Sequence, residues 1–579
     1  MNLRKFNSHN LFEAGIDFFN QLGISLKSKT AYSVPAKSIL NDQFKNTHLF
    51  NSIDETYYLG LIDDSIFSTT MSDSEAMTYD ESLSKVNERY YGILVFAVKL
   101  ENHYPSRSDI AIITRAFNKA SKKVPVIVLL KYNNNSSSLL TFAATERVQY
   151  QQHWREGEKL GKVSLLKDIN IEQPHPGHLK ILDDMRLKPN INTFEDLYKQ
   201  WREVFDVQLL NKRFYEEISN WYFWAMTQVE FPKDAGEDKK VRNATSLIRL
   251  LTRIIFVWFL KEKHLVPENL FDKKFLDIVL DYKDKTGSTF YKAVLQNLFF
   301  ATLNTPMKKD DTNSRIFIDE AKHFGFINDG YLQSGYYRYK RFIKDYKLFK
   351  EQFADIPFLN GGLFECLDDR VDGKEIRIDC FSDNIYNENK LKVPDEIFFG
   401  SERLVDLNQI YDTRNKDYKT RGLINILNSY KFTVAENTPL EEEVALDPEL
   451  LGKVFENLLA SYNPETASTA RKATGSYYTP REIVEYMVDE SLIAYFNQKL
   501  VEQTFLSVQQ NTNFNQKSVE QTFLSDQQNT NFNQKSVEQT FLSDQQNTNF
   551  NQKSVEQTFL SDQQNTNFNQ KSVEQTFLS

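Results

Sequence analysis

Residues 91–100 read YGILVFAVKL, and residues 124–130 read VPVIVLL. Both runs are short, apolar and rich in β-branched side chains, the pattern of strands buried on both faces. Between them, residues 108–121 show helical spacing. A β-α-β order of this kind predicts a covered α/β sheet, and residues 139–144 read as a possible further strand. The fold class expected is mixed α/β, with an N-terminal α/β domain over residues 1–189 followed by a large helical middle region.

Moving outward, His175-Pro176-Gly177-His178 reads as a break before a mainly helical region over 190–355. Phe214, Tyr215, Ile218, Tyr222 and Met226 recur at three- and four-residue intervals, with Trp221 and Trp224 beside them. Aromatics in that spacing predict helix packing and not a cofactor box. A second helix is expected over 247–263, with Pro267 helping to end it. Its apolar run, Ile254 to Leu260, follows Arg249 and Arg253 and precedes Lys261. Seven residues fall far short of the roughly 20 a membrane span needs. A buried helix is therefore expected.

Residues 356–440 form a mixed connecting region. In PFLNGGLFE (357–365), Asn360-Gly361-Gly362 between apolar residues predicts a tight turn or hairpin. A phosphate-cradling loop is the alternative, weakened because no Lys-Ser/Thr ending or helix follows. Over 441–496 two helices are expected. Asp447 caps the first, Pro448 starts it, and Leu450, Leu451, Val454, Phe455, Leu458 and Leu459 stripe it. Thr479-Pro480-Arg481-Glu482 opens the second, with Ile483, Val484, Met487, Val488 and Leu492 on its buried side. Residues 497–579 repeat NQKSVEQTFLSDQQNTNF with a period of 18. The near-identity of the copies suggests duplicated DNA, not a solenoid with a kept core. With so much Gln, Asn, Ser and Thr, a disordered tail is expected.

The 579 residues carry a formal charge of -9 and two cysteines, Cys366 and Cys380. That charge argues against coating DNA by bulk electrostatics but leaves room for a local basic groove. The strongest basic cluster is Arg338, Lys340, Arg341, Lys344, Lys347 and Lys350, interleaved with Tyr336, Tyr337, Tyr339, Phe342, Tyr346 and Phe349. Cations with aromatics suit a phosphate-tracking, base-stacking surface. The plainer alternative is a solvated helix face with an apolar side. Two cysteines imply no disulfide framework, and no signal peptide or membrane span is read, so a cytoplasmic protein is expected. His175-x-x-His178 lacks a third ligand, so no metal site is assigned to it.

Two passages decide the functional reading. Residues 447–462 (DPELLGKVFENLLASY) and 474–488 (TGSYYTPREIVEYMV) resemble the opening of the catalytic domain of adenine-N6 DNA methyltransferases. The nearest group is the single-chain type IIG restriction-modification enzymes, and TGSYYTP resembles their motif X beside S-adenosylmethionine. The stretches 248–271 (IRLLTRIIFVWFLKEKHLVPENLF), 356–368 (IPFLNGGLFECLD) and 393–400 (VPDEIFFG) look similar too. The resemblance implies cofactor contact at Thr474, Gly475, Ser476, Tyr477, Tyr478, Thr479 and Pro480, and double-stranded DNA as partner. A helix N-terminus there suits the cofactor's carboxylate.

Such enzymes also need a glycine-rich D-P-A-C-G-S-G turn and N-P-P-Y/F. Neither is present: the chain has no G-x-G and no Pro-Pro pair. No catalytic residue is assigned, and the chain is expected to be a truncated form without methyl transfer. Residues 1–189 stand where the group carries an Mg²⁺-dependent endonuclease, whose chemistry needs an early acid and then E-x-K on a strand. Asp63 and Asp64 are candidates for the acid. The strand offers Ala97-Val98-Lys99, so the central carboxylate is missing and a nuclease-like fold without its site is expected. A non-catalytic DNA-binding remnant and an endonuclease fragment are the alternatives.

Overall fold

The computed structural model describes residues 1–67, 76–86, 92–122, 124–149, 158–307, 317, 336–359, 362–384, 390–435, 437–438, 440–446, 448, 452, 483–484 and 486–499. The chain is mixed α/β. Within residues 1–478, a first compact unit, a six-stranded sheet stands beside a large helical core.

Helix α1 (Leu11–Gln21) precedes β1 (Ile53–Ile62) and β2 (Ile93–Leu100). Helix α2 (Arg107–Ala120) then crosses to β3 (Val126–Asn133), followed by β4 (Ser138–Gln149) and β5 (Glu158–Asn170). The β-α-β reading holds: β2 and β3 are parallel neighbours joined through α2. Strand β1 is antiparallel to β2, and β4 is antiparallel to both β3 and β5.

Helix α2 starts on a reciprocal cap between Ser106 and Asp109, two otherwise orphaned donors satisfied at once. It packs Ile110, Ile113 and Phe117 on one face of the sheet, against Phe96, Val98 and Val128. The other face is covered by Phe18 and Phe19 of α1, and by α3 (Pro176–Asp184) and α4 (Phe194–Phe205) through Leu182 and Trp201. Helices on both faces explain why β2 and β3 are apolar throughout instead of alternating.

One local expectation changes. His175 to His178 is no loop: His175 caps α3, its Nδ1 accepting the Gly177 amide at 3.0 Å, and Pro176 opens the helix. Proline at a first helical position is well placed, because its missing N–H would be unpaired anyway. Of PFLNGGLFE, Asn360 and Gly361 lie outside the described residues. The turn expected there therefore falls largely outside them; residues 362–364 form a single tight turn of helix, and β6 (Asp369–Val371) pairs with β7 (Lys374–Ile376) further along.

The helical core is built on α5 (Val207–Gln228), α6 (Lys239–Glu262) and a π-type helix α7 (Phe290–Leu303) buried along its whole length. Trp221 and Trp258 are fully buried in it, and the Trp221 indole donates to the Ile397 carbonyl at 2.7 Å. Among the described residues, helix α6 alone is long and apolar enough to cross a membrane, but most of it is buried inside the protein. Helix α8 (Tyr346–Glu351) adds Phe349 to this core. After it, β8 (Arg403–Val405) pairs with β9 (Tyr418–Thr420).

The chain then returns to the sheet: β10 (Glu441–Glu443) pairs parallel with β5 as the sixth strand. Residues 486–499 belong to a second unit and are helical. Ile483, Val484, Met487, Val488 and Leu492, expected on a buried side, are 43–60% exposed. Tyr486, Ile493, Tyr495 and Phe496 are exposed as well. Apolar groups thus surround this helix and do not line one stripe.

Candidate functional site

Charge gathers at one end of the sheet. Strand β1 enters with Asp54 and Glu55, and its register sets Glu55 opposite Lys99 and Tyr57 opposite Ala97. On the next strand Lys131 is paired with Lys99. The Lys99 amine donates to Asp54 and, at 3.1 Å, to Glu55 Oε1. The Tyr57 hydroxyl donates to Glu55 Oε2 at 2.9 Å, so both oxygens of that carboxylate are engaged. Lys131 donates to the Phe6 carbonyl.

The bond from Asp54, with help from Glu55, holds the Lys99 ammonium above the usual lysine range, although desolvation opposes it. Burial pushes the Lys131 ammonium down, and the Lys99 charge adds to that. Burial and the Glu55 carboxylate push the Tyr57 hydroxyl up to about 12.

Asp63 and Asp64, the sequence candidates for the early acid, are elsewhere. Ile62 pairs with Ile93 at the other end of the strand. Asp63 therefore lies seven or eight residues from the Lys99 level, roughly 25 Å along an extended strand. It is ion-paired with Lys85 at 2.9 Å. Asp64 accepts the Phe194 amide at 2.8 Å, tying β1's exit to the start of α4. Both are structural, and the acids that do face Lys99 are Asp54 and Glu55. The signal for them was the two carboxylates opening the strand-like IDETYYLGLI (53–62), legible only once its partner strand is known.

As arranged, this set does not fit a magnesium ion. Magnesium takes six oxygens in near-octahedral geometry, usually with one or two carboxylates among them. Here both carboxylates turn toward an ammonium, and Ala97, where the third would stand, is buried against Tyr57. Among the described residues no group of three or more His, Cys, Asp or Glu side chains could hold a metal.

The basic strip divides by depth. Lys340, Arg341, Lys344 and Lys347 are exposed, whereas Arg338 is buried to 1%. Its guanidinium stacks 3.8 Å from the Phe381 ring centre, and its backbone amide donates to Asn297 Oδ1 at 2.9 Å. A side chain so enclosed presents no surface to a phosphate.

Most of the aromatics turn inward too: Tyr337, Tyr339, Phe342 and Phe349 are core residues. Tyr346 is half-buried, with the Lys340 amine 4.4 Å and the Lys350 amine 5.0 Å from its ring centre. The Lys344 amine donates to the Asp277 carbonyl at 3.1 Å, and Arg341 has Asp383 at 3.9 Å. What the strip offers a ligand is a row of cations on an aromatic underlayer.

The two histidines sit in the base of α3 with ring centres 6.0 Å apart. Burial lowers His175 to about 4 and holds His178 well below the usual histidine range. Cys366 and Cys380 form no disulfide, and burial raises both thiols. Thr474, Gly475, Ser476, Tyr477, Tyr478, Thr479 and Pro480 all lie outside the described residues, as do Asp447 and residues 500–579 of the repeats.

No family model matches the chain, and no solved structure matches it. Over 318 residues, 55% of its length, it is 26% identical to a protein of Methanocaldococcus jannaschii described as a candidate type II restriction enzyme and methyltransferase. The match spans 20% of that relative, so the chain corresponds to about a fifth of the length of the curated protein it resembles.

Proposed function

We propose that this chain is part of a restriction-modification protein of the adenine-N6 DNA methyltransferase type, with double-stranded DNA as its partner. The similarity over 318 residues carries the reading, and the TGSYYTP segment supports it. In this reading Thr474 to Pro480 contact S-adenosylmethionine. With no G-x-G and no Pro-Pro pair in its 579 residues, this chain by itself transfers no methyl group. Its own contribution is to hold DNA, through Lys340, Arg341, Lys344 and Lys347.

The test is duplex binding as a function of salt. Each phosphate contact contributes a slope of about −0.9 in log K against log salt. Lys344→Glu with Lys347→Glu is expected to weaken binding for every duplex sequence and to flatten the slope by about 2. No binding at 50 mM salt would end the DNA reading. Unchanged binding in the double variant would move the contact to another surface.

A further inference from the structure

The sheet end at Lys99 occupies the place where this type of protein carries its endonuclease, and its donors disagree with a metal centre. We propose that Lys99 is a built-in counter-ion for Asp54 and Glu55, so that this edge ties the strands together, holds no divalent cation and cuts no DNA. The proposal does not depend on the DNA contact at residues 340–347.

The register makes the substitution for a metal concrete. Two carboxylates from the start of β1 meet one ammonium from the end of β2, with a second ammonium on β3 beside it. The four formal charges sum to zero, leaving no net negative charge to draw in a dication. Every oxygen of Glu55 already has a donor, Lys99 on one side and the Tyr57 hydroxyl on the other. A dication approaching the pair would meet the Lys99 amine at contact distance, and like charges so close repel strongly even at the effective dielectric of a protein surface.

The lysine also adds a polar side-chain tie between β1 and β2 to their backbone ladder and apolar packing. The Lys131 bond to the Phe6 carbonyl continues the tie to the short N-terminal helix Lys5–Ser8. All three paired side chains are about one-third exposed. Ions in solution can reach them, so a failure to bind would come from chemistry and not from access.

The experiment uses manganese as the probe. Paramagnetic Mn²⁺ binding to the full chain is measured at millimolar concentration, together with Mg²⁺-dependent nicking of supercoiled plasmid. Wild type is expected to show no Mn²⁺ binding that depends on Asp54 or Glu55, and no nicking. Lys99→Gln, which removes the ammonium from both carboxylates, is expected to bind Mn²⁺ at least ~10-fold more tightly, and adding Asp54→Asn with Glu55→Gln is expected to abolish that gain.

Wild-type binding or nicking that disappears in Asp54→Asn/Glu55→Gln would overturn the proposal, with Lys99 intact and no need for the Lys99 variant to fold. Folded Lys99→Gln with no gain in Mn²⁺ affinity would overturn it as well. Loss of duplex binding in the residue 344/347 variant bears on the DNA reading alone.

Discussion

Arg253 joins two of the passages whose sequence points to the restriction-modification group, and its removal has a calculable cost. From the middle of α6 its guanidinium donates to the Leu363 and Glu365 carbonyls, each at 2.8 Å, and to Asp379 at 3.0 Å. Asp379 in turn accepts the Leu367 amide at 2.8 Å. Arg253 and Asp379 are both buried. Arg253→Met keeps much of the side chain's length while deleting all three bonds. Breaking a buried pair by removing one partner costs about 3–5 kcal/mol. Arg249, 4.0 Å from Asp379 and partly exposed, softens the penalty toward the lower figure.

Neutralising the stranded carboxylate should then recover part of the loss. Arg253→Met with Asp379→Asn is expected to be about 1–2 kcal/mol more stable than Arg253→Met alone, because a buried polar group costs less than a buried charge. Urea unfolding followed by tryptophan fluorescence suits this, since Trp221, Trp224 and Trp258 all lie in the helical core. A cost below about 1 kcal/mol for Arg253→Met would refute the reasoning. Strict additivity of the two single variants would refute it too, by showing that the residues do not interact.

Three further perturbations test other parts of the fold. His175, held near 4 in the folded chain against 6.5 unfolded, binds its proton more readily when unfolded. Stability should therefore fall as pH drops from 6.5 toward 4, by up to about 3 kcal/mol at 1.36 kcal/mol per unit. His178 is depressed by burial as well, so His175→Asn, which can still cap α3, is expected to make that slope shallower in melting scans from pH 7 to 4; an unchanged slope would exonerate His175. Asp395 works the other way, since burial raises it to about 7 and its contribution is lost as pH rises from 3.8 through 7. Gly422 is fixed by space: a Cβ there would sit 2.3 Å from the Phe398 carbonyl oxygen. Gly422→Ala should cost roughly 2 kcal/mol or more through overpacking against backbone that cannot rotate away, and a melting temperature within a degree of wild type would contradict this.

The sheet's centre was legible because β2 and β3 bury both faces, which leaves a continuous apolar run that no polar register interrupts. Its edges were not. Strand β1 begins with Asp54 and Glu55, so the acids that answer Lys99 look like a polar lead-in until the pairing is known. The strip at 336–350 shows the same limit from the other side. Arg338 and Lys340 are two residues apart and equally basic on the page, yet one is a core cation stacked on Phe381 and the other is exposed. Local composition cannot separate them, because the fold decides which side of the underlayer each occupies.

Strand β10 is the extreme case. Three consecutive glutamates have poor strand propensity, and nothing near them in sequence supports a strand. Their support comes from more than 270 positions away and from the turn before them: Lys162 lies 3.6 Å from Glu442, Ser108 donates to Glu441, and Arg107 approaches Glu443 within 3.9 Å. Arg107 also donates to the Ala435 carbonyl and to Asn437, and Thr433 donates to Glu443. Burial still raises the Glu443 carboxyl above its usual range, with Arg107 opposing. The acidic strand is thus defined by Lys162 on the strand it joins and Arg107 at the start of α2, and cutting the chain at residue 189 would take those cations away. An N-terminal fragment would expose the β5 edge, and a C-terminal one would leave β10 unpaired, so the sheet and the helical core must be expressed together for either to keep its native edge.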